Sequence, residues 1–131
     1  ITIDDYGHHP TEIKSTIDTI RELYPKKNII MIFQPHRFSR TKNSWHSLTK
    51  VLKSINSIIL LPTYSAGEKK SAYDSKFLYK KLATKNKLYV KTLDQVLDIL
   101  KSIIDNNSIL LLQGAGDIKN IISMLRENDS K

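Results

Sequence analysis

The feature that most constrains the fold is a regular alternation of short apolar runs with helical patterns. Three runs of strand length are continuously apolar: residues 29–33 (IIMIF), 58–61 (IILL) and 109–112 (ILLL). Such runs are typical of strands that are buried on both faces of a parallel sheet. Shorter extended segments at residues 1–3 (ITI) and 88–90 (LYV) bring the number of predicted strands to five.

Apolar residues at helical spacing lie between these strands. The predicted buried helix faces consist of Ile13, Ile17, Ile20 and Leu23; of Trp45, Leu48 and Leu52; of Val96, Leu97, Leu100, Ile103 and Ile104; and of Ile118, Ile121, Ile122 and Leu125. A further helix is predicted from Ser75 through Leu82, and Thr92 with Gln95 resembles a capping box. The alternation predicts an α/β fold: a three-layer, open, doubly wound (Rossmann-like), mostly parallel sheet with helices on both faces. The loop after Tyr64 has room for one antiparallel edge strand.

Length and composition limit the class of protein. The chain has 131 residues, so we expect residues 1–131 to form a single domain. It contains no cysteine, which excludes a disulfide scaffold and thiolate metal sites. No apolar run approaches the ~20 residues that cross a membrane, so an intracellular soluble domain is expected. The chain starts without methionine on what looks like a strand in progress, which suggests a piece of a longer polypeptide.

The net charge of +8 raises the question of nucleic-acid binding. Most of the basic residues are lysines, and they are scattered along the chain rather than gathered in one run. We therefore favour a solvated surface of biased composition, and nucleic-acid binding stays as the minor alternative.

Four polar loops follow the carboxyl ends of predicted strands, at residues 4–9, 34–40, 64–68 and 113–117. In an open parallel sheet these strand ends line one edge, and ligands bind there. Helices also begin at this edge, and their free N–H groups favour anions. The sequence therefore predicts one cleft formed by all four loops.

Within these loops, the candidate residues differ in how strongly they indicate a ligand. Arg37 and Arg40 suit a bidentate grip on a carboxylate or phosphate, with a structural ion pair as the alternative. The glycines Gly114 and Gly116 resemble a phosphate loop but lack the third glycine of the dinucleotide fingerprint, and a tight turn explains them equally well. We favour a functional role for Tyr6, because it lies between Asp5 and Gly7 in a loop at this edge.

His8 and His9 are the histidines that first suggest a metal. Neighbouring residues in an extended chain point in opposite directions, and no cysteine or suitably spaced acidic residue supports ligation. We therefore expect no metal site formed by these histidines.

Four motifs in these loops resemble one known family. They are DDYGHHPTEI at residues 4–13, FQPHRFSR at 33–40, SAGE at 65–68 and QGAGDI at 113–118. Together they resemble the carboxy-terminal domain of the UDP-N-acetylmuramate–L-alanine ligases, a branch of the Mur ligases of bacterial cell-wall synthesis. The resemblance covers nearly the whole chain in order. Its departures are mild: Phe38 and Ser39 stand where Tyr and Thr are more usual, and Asp117 where Asn is also common.

The resemblance implies an ATP-dependent ligase of peptidoglycan biosynthesis in the bacterial cytoplasm. In this family ATP phosphorylates the carboxylate of UDP-N-acetylmuramate, and the amine of L-alanine attacks the acyl phosphate to form an amide. ATP and Mg²⁺ are held mainly by a central P-loop domain and the UDP sugar by an amino-terminal domain, and this chain has neither. The carboxy-terminal domain contacts the central ATPase domain, receives the amino acid and closes over the nucleotide. The isolated domain is therefore expected to fold but to be inactive, with no nucleic acid or membrane as partner.

The resemblance also implies roles for individual residues. Arg37 and Arg40 would hold the carboxylate of L-alanine, while Tyr6 and His8 would line the same pocket and orient the amine. One or both of Asp4 and Asp5 would meet the ATP ribose or the magnesium–phosphate cluster on closure, beside Gly114 and Gly116. The alternative from another class is a free-standing Rossmann-like module that binds a small ligand or nucleotide at the same edge.

Overall fold

Five parallel strands form the central sheet of the computed structural model, which describes residues 1–7, 9–114 and 116–129, with side chains to residue 127. The strands are β1 Thr2–Asp5, β2 Asn28–Phe33, β3 Ser57–Leu60, β4 Asn86–Tyr89 and β5 Ser108–Gln113. They lie in the order β1-β5-β2-β3-β4, and each neighbouring pair is parallel. The three continuous apolar runs thus become the three inner strands.

Helices cover both faces of the sheet. They are α1 Pro10–Leu23, α2 Phe38–Asn43, α3 Trp45–Lys53, α4 Ser75–Lys81, α5 Leu93–Ile103 and α6 Asn120–Asp129, the last preceded by a 3₁₀ turn, Asp117–Lys119. Residues of α1, α3 and α4 pack in one apolar cluster on one face, and residues of α5 and α6 pack in a second cluster on the other. The predicted three-layer, doubly wound fold is confirmed. Among the described residues, no helix is both long and apolar enough to cross a membrane.

Local sequence signals explain where two helices begin. Pro10 occupies the first position of α1, where the N–H that it lacks would have no partner inside the helix. The predicted capping box before α5 is present: Thr92 Oγ1 accepts from the Gln95 N–H, and Gln95 Oε1 accepts from the Thr92 N–H, both at 3.3 Å. These caps fix the direction in which each helix leaves the sheet.

The antiparallel edge strand for which the loop after Tyr64 had room does not form in the described part of the chain. In the described part of the chain, the segment after Tyr64 forms no strand, and its one ladder contact is a parallel bridge between Tyr64 and His36. The Tyr64 N–H donates to the Pro35 carbonyl, which continues the direction of the neighbouring strands. Ala66 and Gly67, both with positive φ, then turn the chain at once.

Most residues of the predicted helix faces are buried or pack against the core; the exceptions are Leu23 at the end of α1 and Leu97, Ile103 and Ile104 in and after α5. Leu23 is 66% exposed, because each helical residue turns by about 100° and Tyr24, one position later, packs against the core instead. Ile103 and Ile104 are about 40% exposed where α5 ends beside the first residues of the inner strands. The predicted loop at residues 34–40 also ends early, because α2 already begins at Phe38.

Candidate functional site

The loop after β2 presents two arginines from one short helix. Arg37 is the residue that precedes α2, with φ of 67°, and Arg40 lies one turn later. Arg37 is exposed and Arg40 is half-buried. Within residues 1–7, 9–114 and 116–129, neither guanidinium takes part in an ion pair, since the one such pair joins Lys14 to Asp18. Two arginines one helical turn apart whose guanidinium groups form no ion pair are suited to bind an anion.

The loop after β3 holds this arginine loop from the side. The Arg37 N–H donates to the Tyr64 carbonyl at 2.8 Å, and the Tyr64 N–H donates to the Pro35 carbonyl at 2.8 Å. The rings of His36 and Tyr64 stack with centroids 5.5 Å apart and 21° between the planes. The backbone of the arginine loop is therefore fixed by its neighbour.

Glu68, from the same loop after β3, contacts the beginning of α2. Its Oε1 accepts from the N–H groups of Phe38 at 2.8 Å and Ser39 at 3.1 Å, and its Oε2 accepts from Ser39 Oγ at 2.5 Å. These hydrogen bonds, led by those from Ser39, lower the pKa of Glu68, and the nearby positive charge of Arg37 adds to the effect. Glu68 is therefore ionised at neutral pH.

Asp5 ties the loop after β1 to the end of β5. Its Oδ1 accepts from the Gly7 N–H at 3.1 Å, and its Oδ2 accepts from Thr16 Oγ1 at 2.6 Å and Gln113 Nε2 at 2.9 Å. Gln113 Nε2 also donates to the Gly7 carbonyl. Burial alone would raise the pKa of Asp5, but the hydrogen bonds from Thr16, Gln113 and Gly7 outweigh it and lower the pKa. Both oxygens of Asp5 are thus used inside the protein.

Asp4 lies on the opposite face of β1 and is exposed. Burial and then the charge of Asp5 raise the pKa of its carboxyl group. Tyr6, two residues later, has 62% of its surface exposed at the same edge. Asp4 and Tyr6 are therefore exposed at this edge, where a ligand can reach them.

The two glycines of the last loop lie against other parts of the protein. A Cβ on Gly114 would come within 2.6 Å of the Gln34 carbonyl oxygen, and a Cβ on Gly116 within 2.8 Å of the Tyr64 ring. Both residues have positive φ. Close packing alone thus requires glycine at both positions, and their predicted contact with ATP stays a prediction.

Two buried glutamines join the loops, and neither was predicted as a site residue. Gln34 is 4% exposed; its Oε1 accepts from the Ile118 N–H at 2.9 Å and its Nε2 donates to the Pro62 carbonyl at 3.3 Å. Gln113 is fully buried, and its carbonyl accepts from the Gln34 N–H at 3.1 Å. Each follows an apolar run at a strand end, which is the signal in the sequence that could have found them.

Of the two histidines in the first loop, only His9 lies among the described residues. His8, predicted to line the amino-acid pocket, lies outside the described residues. His9 precedes α1, and its Nδ1 accepts from the Thr11 N–H at 3.3 Å, which is a capping role. In the described part of the chain, no group of three or more His, Asp or Glu side chains could hold a metal ion.

A cavity of about 540 Å³ opens at this edge of the sheet. It lies on the side of Tyr64 that faces α5 and α6, and its polar lining includes Gln34, Lys91, Asp117 and Asn120. Neither Arg37 nor Arg40 lines it. The arginine pair is therefore not part of this cavity.

With this geometry in place, comparison with known proteins identifies the family. The family described as Mur ligase, glutamate ligase domain, matches residues 1–116. The chain belongs to the Mur ligase family. A UDP-N-acetylmuramate–L-alanine ligase of Francisella philomiragia is 41% identical over 95% of the chain and 27% of the relative. The corresponding ligase of Buchnera aphidicola is 45% identical over 91% of the chain and 25% of the relative.

Solved structures of Mur ligases agree with the fold. UDP-N-acetylmuramate–alanine ligase of Thermotoga maritima superposes with a TM-score of 0.66 at 27% identity, over 99% of this chain and 27% of that one. The chain therefore spans about a quarter of the length of the relatives that it matches. The resemblance inferred from the four loop motifs is confirmed.

Proposed function

We propose that this Mur ligase chain is the amino-acid-binding, carboxy-terminal domain of a three-domain enzyme that joins L-alanine to UDP-N-acetylmuramate. The curated relatives that share 41–45% identity carry this name. Residues 1–131 form one of the domains, and the other two bind ATP with Mg²⁺ and the UDP sugar. The relatives are bacterial proteins, and the proposal places the reaction in the cytoplasm of a bacterium.

One observation carries the proposal: Arg37 and Arg40 lie one helical turn apart, and among the described residues neither guanidinium is in an ion pair, although Arg37 is near enough to Glu68 to lower its pKa. A pair of charged donors at the edge of a parallel sheet suits the carboxylate of a small amino acid. Tyr6, and His8 beyond the described residues, would complete the pocket around the amine. Holding the carboxylate at this point orients the amine towards the activated carboxyl group of the sugar substrate.

The chain offers little of its own to ATP and Mg²⁺. It lacks a P-loop, so the phosphates and the metal would be bound by the central domain. Bound there, ATP supplies the phosphoryl group that activates the sugar carboxylate. The role left to this domain is to close over the nucleotide and exclude water from the reacting groups.

Asp4 is the better candidate for contact with the nucleotide. Both oxygens of Asp5 are already used by Gly7, Thr16 and Gln113, whereas Asp4 is exposed on the other face of the same strand. A free carboxylate can accept a hydrogen bond from a ribose hydroxyl or from water bound to magnesium. We therefore assign the closure contact to Asp4 and a structural role to Asp5.

The test is to measure kinetics of the full-length ligase with Arg37→Ala and Arg40→Ala. Loss of a charged hydrogen bond to the substrate costs about 1.5–3 kcal/mol, so KM for L-alanine should rise about 10- to 150-fold. KM for UDP-N-acetylmuramate and for ATP should stay within about twofold, because other domains bind them. Lys42→Ala, which removes one charge from the same helix, is the matched control. Equal losses for L-alanine and the sugar would contradict the assignment.

A second test uses the 131-residue chain alone. We expect it to fold, to show no ATP turnover and to bind L-alanine only weakly, with Kd in the millimolar range or above, because half of the closed site is absent. Titration of L-alanine followed by NMR would measure this affinity. Tight binding, in the micromolar range, would show that the site is complete within this domain.

A further inference from the structure

The short helix that carries the arginines lacks a cap of its own. Arg37 precedes α2, and its side chain forms no capping hydrogen bond. Its φ of 67° is unusual for a residue other than glycine and must be held by its surroundings. A helix of six residues is also too short to be stable by itself. Something outside α2 must therefore hold the arginine pair in place.

We propose that Glu68 is a positioning residue for the L-alanine site, because its carboxylate holds the first turn of α2 and so orients Arg37 and Arg40. The inference rests on the proposed function of the arginines. Glu68 accepts from two N–H groups and one hydroxyl at the beginning of α2, from a loop that is 29 and 30 residues away in sequence. It replaces the missing capping side chain.

The same contacts direct the substrate carboxylate to the guanidinium groups. The N–H groups of Phe38 and Ser39 would otherwise attract an anion. With Glu68 bound to both, the beginning of α2 is occupied and already carries a negative charge. The positive charge that remains next to the beginning of α2 then lies on the side chains of Arg37 and Arg40. The substrate carboxylate should therefore bind the side chains of Arg37 and Arg40 rather than the helix backbone.

The experiment compares Glu68→Ala and Glu68→Gln in the full-length ligase. Glu68→Ala should raise KM for L-alanine about tenfold, with KM for ATP and UDP-N-acetylmuramate within about twofold of the original. Glu68→Gln keeps an oxygen that can accept from both N–H groups, so it should restore most of the affinity for L-alanine. Asp74→Ala is the matched control, because Asp74 caps α4 through the Phe77 N–H at 2.9 Å and touches neither arginine.

The outcomes separate this inference from the proposed function. If Arg37→Ala raises KM for L-alanine and Glu68→Ala does not, the positioning role is wrong while the proposed function stands. If Glu68→Ala raises KM for all substrates alike, or no more than Asp74→Ala does, Glu68 is only structural and the inference fails. If Arg37→Ala itself leaves KM for L-alanine unchanged, both are overturned.

A measurement without catalysis gives an independent answer. In the 131-residue chain, the amide protons of Phe38 and Ser39 should exchange with solvent about tenfold faster after Glu68→Ala, because they lose their acceptor. Their chemical shifts in the original chain should follow the titration of Glu68 at a pH below its usual range. Unchanged exchange rates in a folded Glu68→Ala chain would show that the carboxylate does not hold α2.

Discussion

The two edges of the sheet differ in what they contain, although both have cavities. At the amino-end edge, where the strands begin, a cavity of about 810 Å³ is lined by polar side chains such as Asn28, Lys85 and Asn86. At the carboxyl-end edge, where the strands end, the cavity is smaller, at about 540 Å³. Yet the described residues with positive φ all lie in loops of the carboxyl-end edge: Arg37, Ala66, Gly67, Gly114 and Gly116.

Positive φ therefore coincides with the edge at which we propose the amino-acid site, whereas the larger cavity does not. Positive φ costs energy for most residues and persists only where surrounding contacts impose it. At the carboxyl-end edge, the side chains of Gln34 and Glu68 accept hydrogen bonds from backbone N–H groups of neighbouring loops, and Asp5 accepts one from the backbone of its own loop. The same edge carries the arginine pair. Substitutions at the two edges should therefore have unequal effects.

The largest effect is expected for Gly114→Ala at the carboxyl-end edge. The new Cβ would lie 2.6 Å from the Gln34 carbonyl oxygen, a backbone atom that cannot move away easily, and φ is +129°. Overpacking and backbone strain together should lower the free energy of unfolding by about 3 kcal/mol or more. Denaturant unfolding of the 131-residue chain, followed by circular dichroism, would measure the loss.

Gly67→Ala is the matched control for that substitution. Gly67 also has positive φ, at +89°, but no atom lies within 4 Å of the position of a Cβ. Gly67→Ala should therefore lower the free energy of unfolding by only about 1 kcal/mol, from backbone strain alone. Equal losses for the two glycines would mean that the contact with Gln34 does not determine the cost.

Asp5→Ala should have the next largest effect on the free energy of unfolding. It removes the acceptor of three hydrogen bonds and leaves Thr16 and Gln113 without this partner. Since the group is partly exposed, we expect a loss of about 1–2 kcal/mol at pH 7. Because the pKa of Asp5 is lowered by folding, its contribution is present above the unfolded pKa and is lost as pH falls below about 4.

Unfolding of the original chain and the Asp5→Ala variant should therefore be compared at several pH values. The difference in free energy of unfolding should shrink as the pH falls from about 4 through the lowered pKa of Asp5. Thr16→Val, which removes one donor and keeps the carboxylate, should lose less at pH 7. A difference that stays constant down to pH 2 would show that the ionised carboxylate is not the stabilising species.

Asp4→Asn should change the free energy of unfolding only slightly, and in the direction opposite to Asp5→Ala. The pKa of Asp4 is raised in the folded chain, so its contribution to stability is present at low pH and is lost as pH rises through the folded pKa. Removing the charge should leave stability at pH 7 unchanged or raise it by less than about 0.5 kcal/mol. In the full-length ligase the same variant should raise KM for ATP. A loss of stability like that of Asp5→Ala would reverse our assignment of the two aspartates.

The sequence predicted the sheet and the location of the arginines because both depend on local patterns. Continuous apolar runs such as residues 109–112 identify inner strands, and a polar loop after a strand must lie at the carboxyl-end edge. The prediction that Leu23 lies on the buried face of α1 was wrong for a geometric reason. A spacing of three residues carries Leu23 away from the buried face, and Tyr24 takes that position.

The contacts that hold the site could not be predicted in this way. Glu68 contacts a helix 29 and 30 residues earlier, and Gln113 contacts Asp5 across 108 residues. Such pairs depend on which loops the fold brings together, and the periodicity of the sequence does not predict which loops meet. The motif SAGE indicated the family, but only the structure shows that its glutamate bonds to the beginning of α2.

The smallest effect is expected at the amino-end edge, for Lys85→Ala. Lys85 is exposed beside the larger cavity, near no residue with positive φ among those described. We expect a change of less than about 0.5 kcal/mol in the free energy of unfolding and of less than about twofold in KM for L-alanine. The substitution removes one positive charge, as Arg37→Ala does, so the two variants separate local binding from the net charge of the domain. A rise in KM for L-alanine after Lys85→Ala as large as that after Arg37→Ala would mean that long-range charge, rather than the arginine pair, attracts the substrate.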